Sequence, residues 1–231
     1  SRALALEINK AAQYQILRAG GIQTPRTVVA VGSEAILEAS EAFGDEPMIL
    51  KPNRGGKGDG VQLFEDRAQL EAYIKAPNYE APVDGISMVQ EYIYAPDRSI
   101  TRAEFIGGKF FYAVRVDTSD GFELCPADVC QIPGDTTGPT FRILDGDAGL
   151  GFDVIRAVEA VLAQNGVKVA GVEFIRNEAG ELFAYDINTN TNYNPDAETV
   201  AGKFGMGRLA AYLTDQLATE SGVAEQLLKA S

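Results

Sequence analysis

Lys51, Arg54 and Lys57 share one short segment with Gly55, Gly56, Gly58 and Gly60, between apolar residues at Ile49-Leu50 and Val61. Glycine lets backbone N–H groups turn toward an anion with no side chain in the way, and lysine adds a point charge. The segment suits a cover for phosphate, and equally a glycine-rich hairpin with a solvated basic turn. It is not a Walker loop, because no Gly-Lys-Ser/Thr follows at the right spacing, and no G-x-G-x-x-G opens a helix.

A second group with chemical potential lies far downstream in two strand-like runs, 167–176 and 181–188. The turn expected at 177–180 pairs Arg176 with Glu181 and Glu173 with Ala184. Side chains alternate along a strand, so Ala184, Asp186 and Asn188 would share the face of Glu173. Glu173 and Asp186 become diagonal neighbours, roughly 7–8 Å apart at the backbone. Two acids and an amide form an all-oxygen donor set suited to Mg²⁺ or Mn²⁺. A solvated strand face would carry the same residues, and the distant glycine segment tips the reading toward a metal.

Composition narrows the chemistry further. The chain contains no histidine, which excludes Ser-His-Asp and Cys-His catalysis and ordinary zinc sites. Carboxylates, lysines, arginines, amides and a hard metal remain. A net charge of −13 argues against nucleic acid or an anionic membrane as partner. Cys125 and Cys130 are too few for a disulfide framework and read as packing residues of a reduced protein. With no apolar run long enough for a membrane span and no signal peptide, the expected location is the cytoplasm.

The elements that must position these groups alternate along the chain. Ile8, Ala12, Ile16 and Ala19 recur at helical spacing, and Gly20-Gly21 stop that helix. A strand at 27–31 precedes a helix capped by Ser33 and running to Phe43. Strands near 47–51 and 61–64 flank the glycine segment, with a helix at 67–75 and a strand at 86–93. A second unit opens near Pro96 with strands at 100–106 and 109–116, joined at Gly107-Gly108. The stretch 117–149, including Cys125-Pro126-Ala127-Asp128, reads as a long loop of the kind used for lids or substrate selection. Helices are expected at 152–162 and from 198 onward.

With these motifs in order, the chain resembles the ATP-grasp superfamily, and within it the amino-acid and peptide ligases related to the ribosomal-protein glutamate ligase. Asn9-Lys10 is similar to the Asp-Lys opening of the first helix of that family, and Ala19-Gly20-Gly21-Ile22 with Thr24-Pro25 to its following turn. Lys51-Pro52 and the glycine segment resemble its phosphate strand and loop. Val89-Gln90-Glu91-Tyr92-Ile93 resembles the hinge strand against adenine. Arg102 with Gly107-Gly108, and then Arg115, are similar to its arginine strands, and Glu173, Asp186 and Asn188 fall on the metal triad.

The resemblance implies an α+β fold of the ATP-grasp type, with nucleotide between two α+β subdomains, here 1–95 and 96–231. It implies ATP and Mg²⁺ (or Mn²⁺) as cofactors. Lys10 and Lys51 would bind phosphates, with Gly55, Gly56, Lys57 and Gly58 covering them. Gln90, Glu91, Tyr92 and Ile93 would face adenine, and Asp97 the ribose. Arg102 and Arg115 would hold a carboxylate or acyl phosphate, where a planar fork suits oxyanions. The run Thr189 to Asp196 would shape the acceptor pocket or serve as a loop leading into the next helix.

The activity implied is carboxylate–amine ligation through an acyl phosphate, with an amino acid, peptide or amine as partner. Phosphorylation of a small molecule and nucleotide binding without turnover are the alternatives. Homo-oligomerisation stays open. Two departures from the family pattern stand out: its second metal acid is usually Glu where this chain has Asp186, and it normally carries a domain before the first helix. The second departure leads us to expect that this chain is a fragment.

Overall fold

The computed structural model describes residues 1–56, 58–118 and 141–230, with backbone alone for 221–230. It opens with two short helices, α1 (Arg2–Glu7) and α2 (Lys10–Ala19). The break between them comes at Asn9, whose side chain accepts the Ala12 N–H at 2.9 Å and caps α2. Ile8 therefore leaves the helical face predicted for it and is exposed.

The first sheet contains β1 (Thr27–Val31), β2 (Met48–Pro52), β3 (Gln62–Phe64) and β4 (Ile86–Glu91), in the order β1-β4-β2-β3. Helices α3 (Ser33–Ser40) and α4 (Arg67–Ile74) cover one of its faces. Ile36, Met48, Leu50, Leu70 and Val89 form the core there. Alternation along β2 then turns Ile49 and Lys51 to the opposite face. Gly32, with φ of 82°, occupies the N-cap of α3, so Ser33 is the first helical residue instead of the predicted cap.

The second sheet is antiparallel throughout. It contains β5 (Ser99–Ile106), β6 (Lys109–Asp117), β7 (Phe141–Leu144), β8 (Val169–Arg176) and β9 (Leu182–Asn188), in the order β7-β6-β5-β8-β9. Part of the predicted long loop is thus an edge strand, while Cys125, Asp128 and Cys130 lie outside the described residues. Helix α5 (Phe152–Gln164) buries Ile155, Val158, Val161 and Leu162, the four positions its spacing selects. The chain continues into α6 (Pro195–Ala201) and α7 (Gly205–Ala230). Among the described residues no helix is long and apolar enough to cross a membrane.

Leu6, Leu17 and Ile22 pack into the core of the second sheet with Phe105, Phe174, Ala184 and Ile187. The opening helices therefore join the second unit, not the first as the 1–95 division assumed. A Cβ on Gly20 would come within 2.2 Å of Val161, so only glycine lets the end of α2 approach α5 this closely.

The opening helices also close the exposed edge of β9. Gln13 is buried; its Nε2 donates to the carbonyls of Leu6 and Ile187 at 2.9 and 2.8 Å, and its Oε1 accepts the Ile187 N–H at 3.0 Å. The Ala184 N–H donates to the Gln23 carbonyl at 2.8 Å. An unpaired strand edge is thereby satisfied by a helix and the loop after it. Gln13→Leu keeps the apolar volume but strands the Ile187 peptide groups, and is expected to lower unfolding free energy by about 2 kcal/mol or more. Urea unfolding checks this, and a loss under about 0.5 kcal/mol would show that water replaces the amide.

Candidate active site

The hairpin of β8 and β9 turns with the Asn177 N–H donating to the Glu181 carbonyl at 3.0 Å and Gly180 at φ of 81°. Pairing starts with Arg176 opposite Leu182 and Phe174 opposite Ala184, then shifts by one residue at Tyr185. Glu173 ends directly opposite Asp186, and Gly171 opposite Asn188. The predicted pairing of Glu173 with Ala184 is therefore wrong. Ala184 turns into the core, and the bulge rotates Asp186 and Asn188 onto the face of Glu173. The three residues meet as expected, but by a different register.

This face opens on a cleft of about 610 Å³ lined by Glu7, Lys10, Lys51, the glycine segment, Tyr185 and the three metal-ligand candidates. Glu173 is only 3% exposed. Burial, then the charge of Asp186, raises its carboxyl above the ordinary range. The Asn188 Nδ2 donates to Glu173 at 3.3 Å. Lys10 reaches around the edge of β9 and donates to Asp186 Oδ1 at 2.6 Å. Burial alone would lower the Lys10 pKa, and the Asp186 charge and hydrogen bond outweigh it, leaving it raised.

Lys51 enters from the first sheet. It is 4% exposed, and its ammonium reaches the Tyr185 carbonyl at 3.4 Å. Burial brings its pKa down to about 8, with Asp186 and Glu173 opposing and Lys10 adding to the fall. In the adjoining segment Gly58 and Gly60 hold φ of 77° and 73°, and the Asp59 and Val61 N–H groups close tight turns onto the Gly56 and Gly58 carbonyls. Gly55, Gly56 and Gly58 line the cleft, whereas Lys57 lies outside the described residues.

Asn53 ties the two sides together. Its Oδ1 accepts the Ala11 N–H at 2.9 Å, its carbonyl accepts the Lys10 N–H at 3.2 Å, and its Nδ2 donates to Asp84 at 2.8 Å. Neither Asn53 nor Glu7, whose carboxylate accepts the Thr189 N–H, stands out in the sequence. Both act through contacts between segments distant along the chain.

A mostly apolar groove of about 320 Å³ adjoins the charged cleft, lined by Pro25, Ile49, Gln90, Glu91, Tyr92, Ile93, Ile175 and Tyr185. Tyr185, the bulged residue, borders both spaces. The strand predicted to face adenine thus lines an apolar slot. The Gln90 side chain donates to Thr27 Oγ1 at 2.7 Å, the Glu91 carboxylate accepts the Arg26 N–H at 3.0 Å, and the Tyr92 N–H donates to Pro47 at 3.3 Å.

The two arginines separate. Arg102 lies opposite Glu173 on the cleft face, buried, with Nε 2.7 Å from Glu104. Arg115 pairs with Thr101, which puts it on the other face with Ala113, its guanidinium 3.6 Å from Asp97. The geometry therefore does not bring Arg115 to the acids, and Asp97 lines neither space described above. Two-residue alternation, not sequence distance, decides this.

The donor set fits a hard divalent ion. Glu173, Asp186 and Asn188 offer oxygen atoms from one face, and a cation between buried Glu173 and half-buried Asp186 would offset the burial and the Asp186 charge that raise Glu173. Among the described residues no group of three or more His, Cys, Asp or Glu side chains could hold a metal, so water or phosphate oxygens would complete the shell.

A charged cleft beside an apolar slot, between two antiparallel sheets, is the arrangement of an ATP-grasp protein. Residues 7–122 match the RimK-like ATP-grasp domain, and the chain belongs to that family. It is 26% identical over 218 residues to a probable alpha-L-glutamate ligase of Cellvibrio japonicus (strain Ueda107), covering 93% of this chain and 66% of that protein. It is also 26% identical over 191 residues to a D-alanine–D-alanine ligase of Chromohalobacter salexigens, covering 81% of this chain and 56% of that one. The chain thus spans about two thirds or less of these relatives. The ATP-grasp ligase PsnB, solved with a phosphomimetic variant of its minimal precursor, Mg and ADP, shares the fold with a TM-score of 0.63 at 17% identity. That match covers 94% of this chain and 61% of the PsnB chain.

A buried lysine titrating near 8 makes anion binding depend on pH. An anion in the cleft would favour charged Lys51, and above pH 8 the free protein would have to take up a proton to supply that charge. ADP affinity, measured by calorimetry, is expected to fall as pH rises through about 8, and Lys51→Arg is expected to flatten that fall. A flat profile in the parent protein would remove Lys51 from the phosphate site.

Proposed function

We propose that this chain is the nucleotide-binding and catalytic part of an ATP- and Mg²⁺-dependent carboxylate–amine ligase. The observation that supports it most is the apposition, across one cleft, of buried Lys51 and the glycine segment to the Glu173–Asp186 pair. In this reading adenine occupies the apolar slot beside Ile49, Tyr92 and Ile93, and the phosphates lie over Lys51 and Lys10. Glu173, Asp186 and Asn188 hold Mg²⁺, with Mn²⁺ able to replace it. An ion held by these three residues would supply positive charge for phosphate oxygens.

The chain's own residues do the rest by position and charge. A substrate carboxylate oxygen bonds to the γ-phosphorus as the bond to ADP breaks, giving an acyl phosphate. Arg102, held on the cleft face, binds the oxyanion of that group. An amine nitrogen then bonds to the acyl carbon, the carbon–oxygen bond to phosphate breaks, and one proton leaves with the products. Attack by a free amine needs no histidine base, in keeping with a chain that has none. The relatives' names favour amino acids or peptides as substrates.

The protein, screened with pooled amino acids, dipeptides and polyamines, is expected to release ADP and phosphate together and to form an amide. A phosphorylated product without an amide would make it a kinase instead. Glu173→Gln is expected to cut ADP release by about a hundredfold, the upper end of what disturbing the surroundings of a bound metal costs. Unchanged turnover in that variant would overturn the site.

A further inference from the structure

Lys10 joins the proposed metal site to the proposed phosphate site. Its ammonium donates to Asp186 Oδ1 at 2.6 Å, and the pair is largely shielded from water, with side chains 14% and 15% exposed. A hard divalent ion bonds to a carboxylate oxygen at roughly 2.1 Å. On Oδ1 such an ion would lie within about 5 Å of the ammonium, and on the other Asp186 oxygen within about 7 Å. Like charges that close repel, most of all where water is scarce. The carboxylate that Lys10 holds is also a candidate metal ligand, so ammonium and ion are rivals for one negative charge.

The backbone and the side chain of Lys10 differ in freedom. Asn9 caps α2 just before Lys10, and the Lys10 N–H donates to the Asn53 carbonyl at 3.2 Å. Those bonds fix the start of the helix. The four-carbon stem still turns, and it ends in a compact ammonium with three donors that suits any anion it meets. Lys10 lines the same cleft as Lys51, Gly55, Gly56 and Gly58, so its side chain and the glycine segment front one space. Of the two cleft lysines, Lys51 bonds to the neutral Tyr185 carbonyl and Lys10 to a carboxylate.

We infer that Lys10 exchanges partners: its ammonium neutralises Asp186 until nucleotide phosphate draws it away, which opens that carboxylate to a divalent cation. The inference rests on the proposed placement of phosphate and metal, and adds to it a reason for the two to bind together. Lys10 is then more than a phosphate contact. The same charge that attracts nucleotide resists an ion arriving without it.

Mn²⁺ binding, read by the loss of the free-ion electron paramagnetic signal, tests this on the whole chain. Lys10→Met is expected to tighten Mn²⁺ binding without nucleotide by about tenfold, within the usual range of coupling between sites. With saturating ADP that gain is expected to shrink severalfold, because phosphate has already drawn Lys10 off Asp186. Unchanged or weaker binding without nucleotide overturns the inference. So does an equal gain with and without ADP, which would mean that Lys10 never leaves Asp186. Asp186→Asn separates the two levels. If that variant binds Mn²⁺ with ADP as the parent does, the metal reading fails; if it loses the ion while Lys10→Met shows no gain, only the exchange fails. Should Lys10→Met not fold, Lys10→Gln removes the same charge behind a polar end and is expected to show the same gain. No gain in Lys10→Gln then overturns the inference.

Discussion

Two carboxylates set directly opposite one another on neighbouring strands repel, and burial makes the repulsion worse. Glu173 and Asp186 occupy that arrangement, and the rest of the cleft answers it. Lys10 pairs with Asp186 from the edge, Lys51 enters from the other sheet, and Arg102 stands across from Glu173. Arg102 is also bonded to Glu104, and Lys51 is itself destabilised by burial. The result is a cleft whose charges are satisfied best when an anion meets the lysines and a cation meets the acids.

Holding such a site requires a rigid frame, and the opening helices supply much of it. Gln13 seals the edge of β9 at Ile187, next to Asp186, while Asn9 caps the helix that carries Lys10. Asn53 bonds to that same helix and, through Asp84, to the loop before β4. The segment that follows Lys51 is thereby fixed to the helix that carries Lys10. The two lysines thus approach the acids as parts of one hydrogen-bonded unit rather than as independent side chains.

Much of this was legible from residue types. The glycine segment, the absence of histidine, the acids near the end of the chain and the apolar strand at 86–93 all pointed to the cleft. Strand register was not legible. Arg176 pairs with Leu182 instead of Glu181, and a bulge at Tyr185 shifts β9 again, so that Asp186 returns to the face of Glu173. Arg115 takes the face away from the acids for the same kind of reason, since one position along β6 decides which face a side chain takes. Glu104, Asn53 and Glu7 gain meaning only from partners across the fold, and a buried Glu in a strand carries no signal in a lone sequence. The division of the chain into halves also misled at the start, where Leu6 and Leu17 belong to the core of the second sheet.

If one cleft holds nucleotide and divalent ion together, each makes the other's charge acceptable. Linkage then requires reciprocity: whatever factor Mg²⁺ adds to ADP affinity, ADP must add to Mg²⁺ affinity. Calorimetric titration of ADP with and without saturating Mg²⁺, and of Mg²⁺ with and without ADP, measures both sides of that cycle. Equal factors of about tenfold or more are expected, within the usual range of coupling between sites. Independent binding, with ADP affinity indifferent to the ion, would contradict a shared cleft.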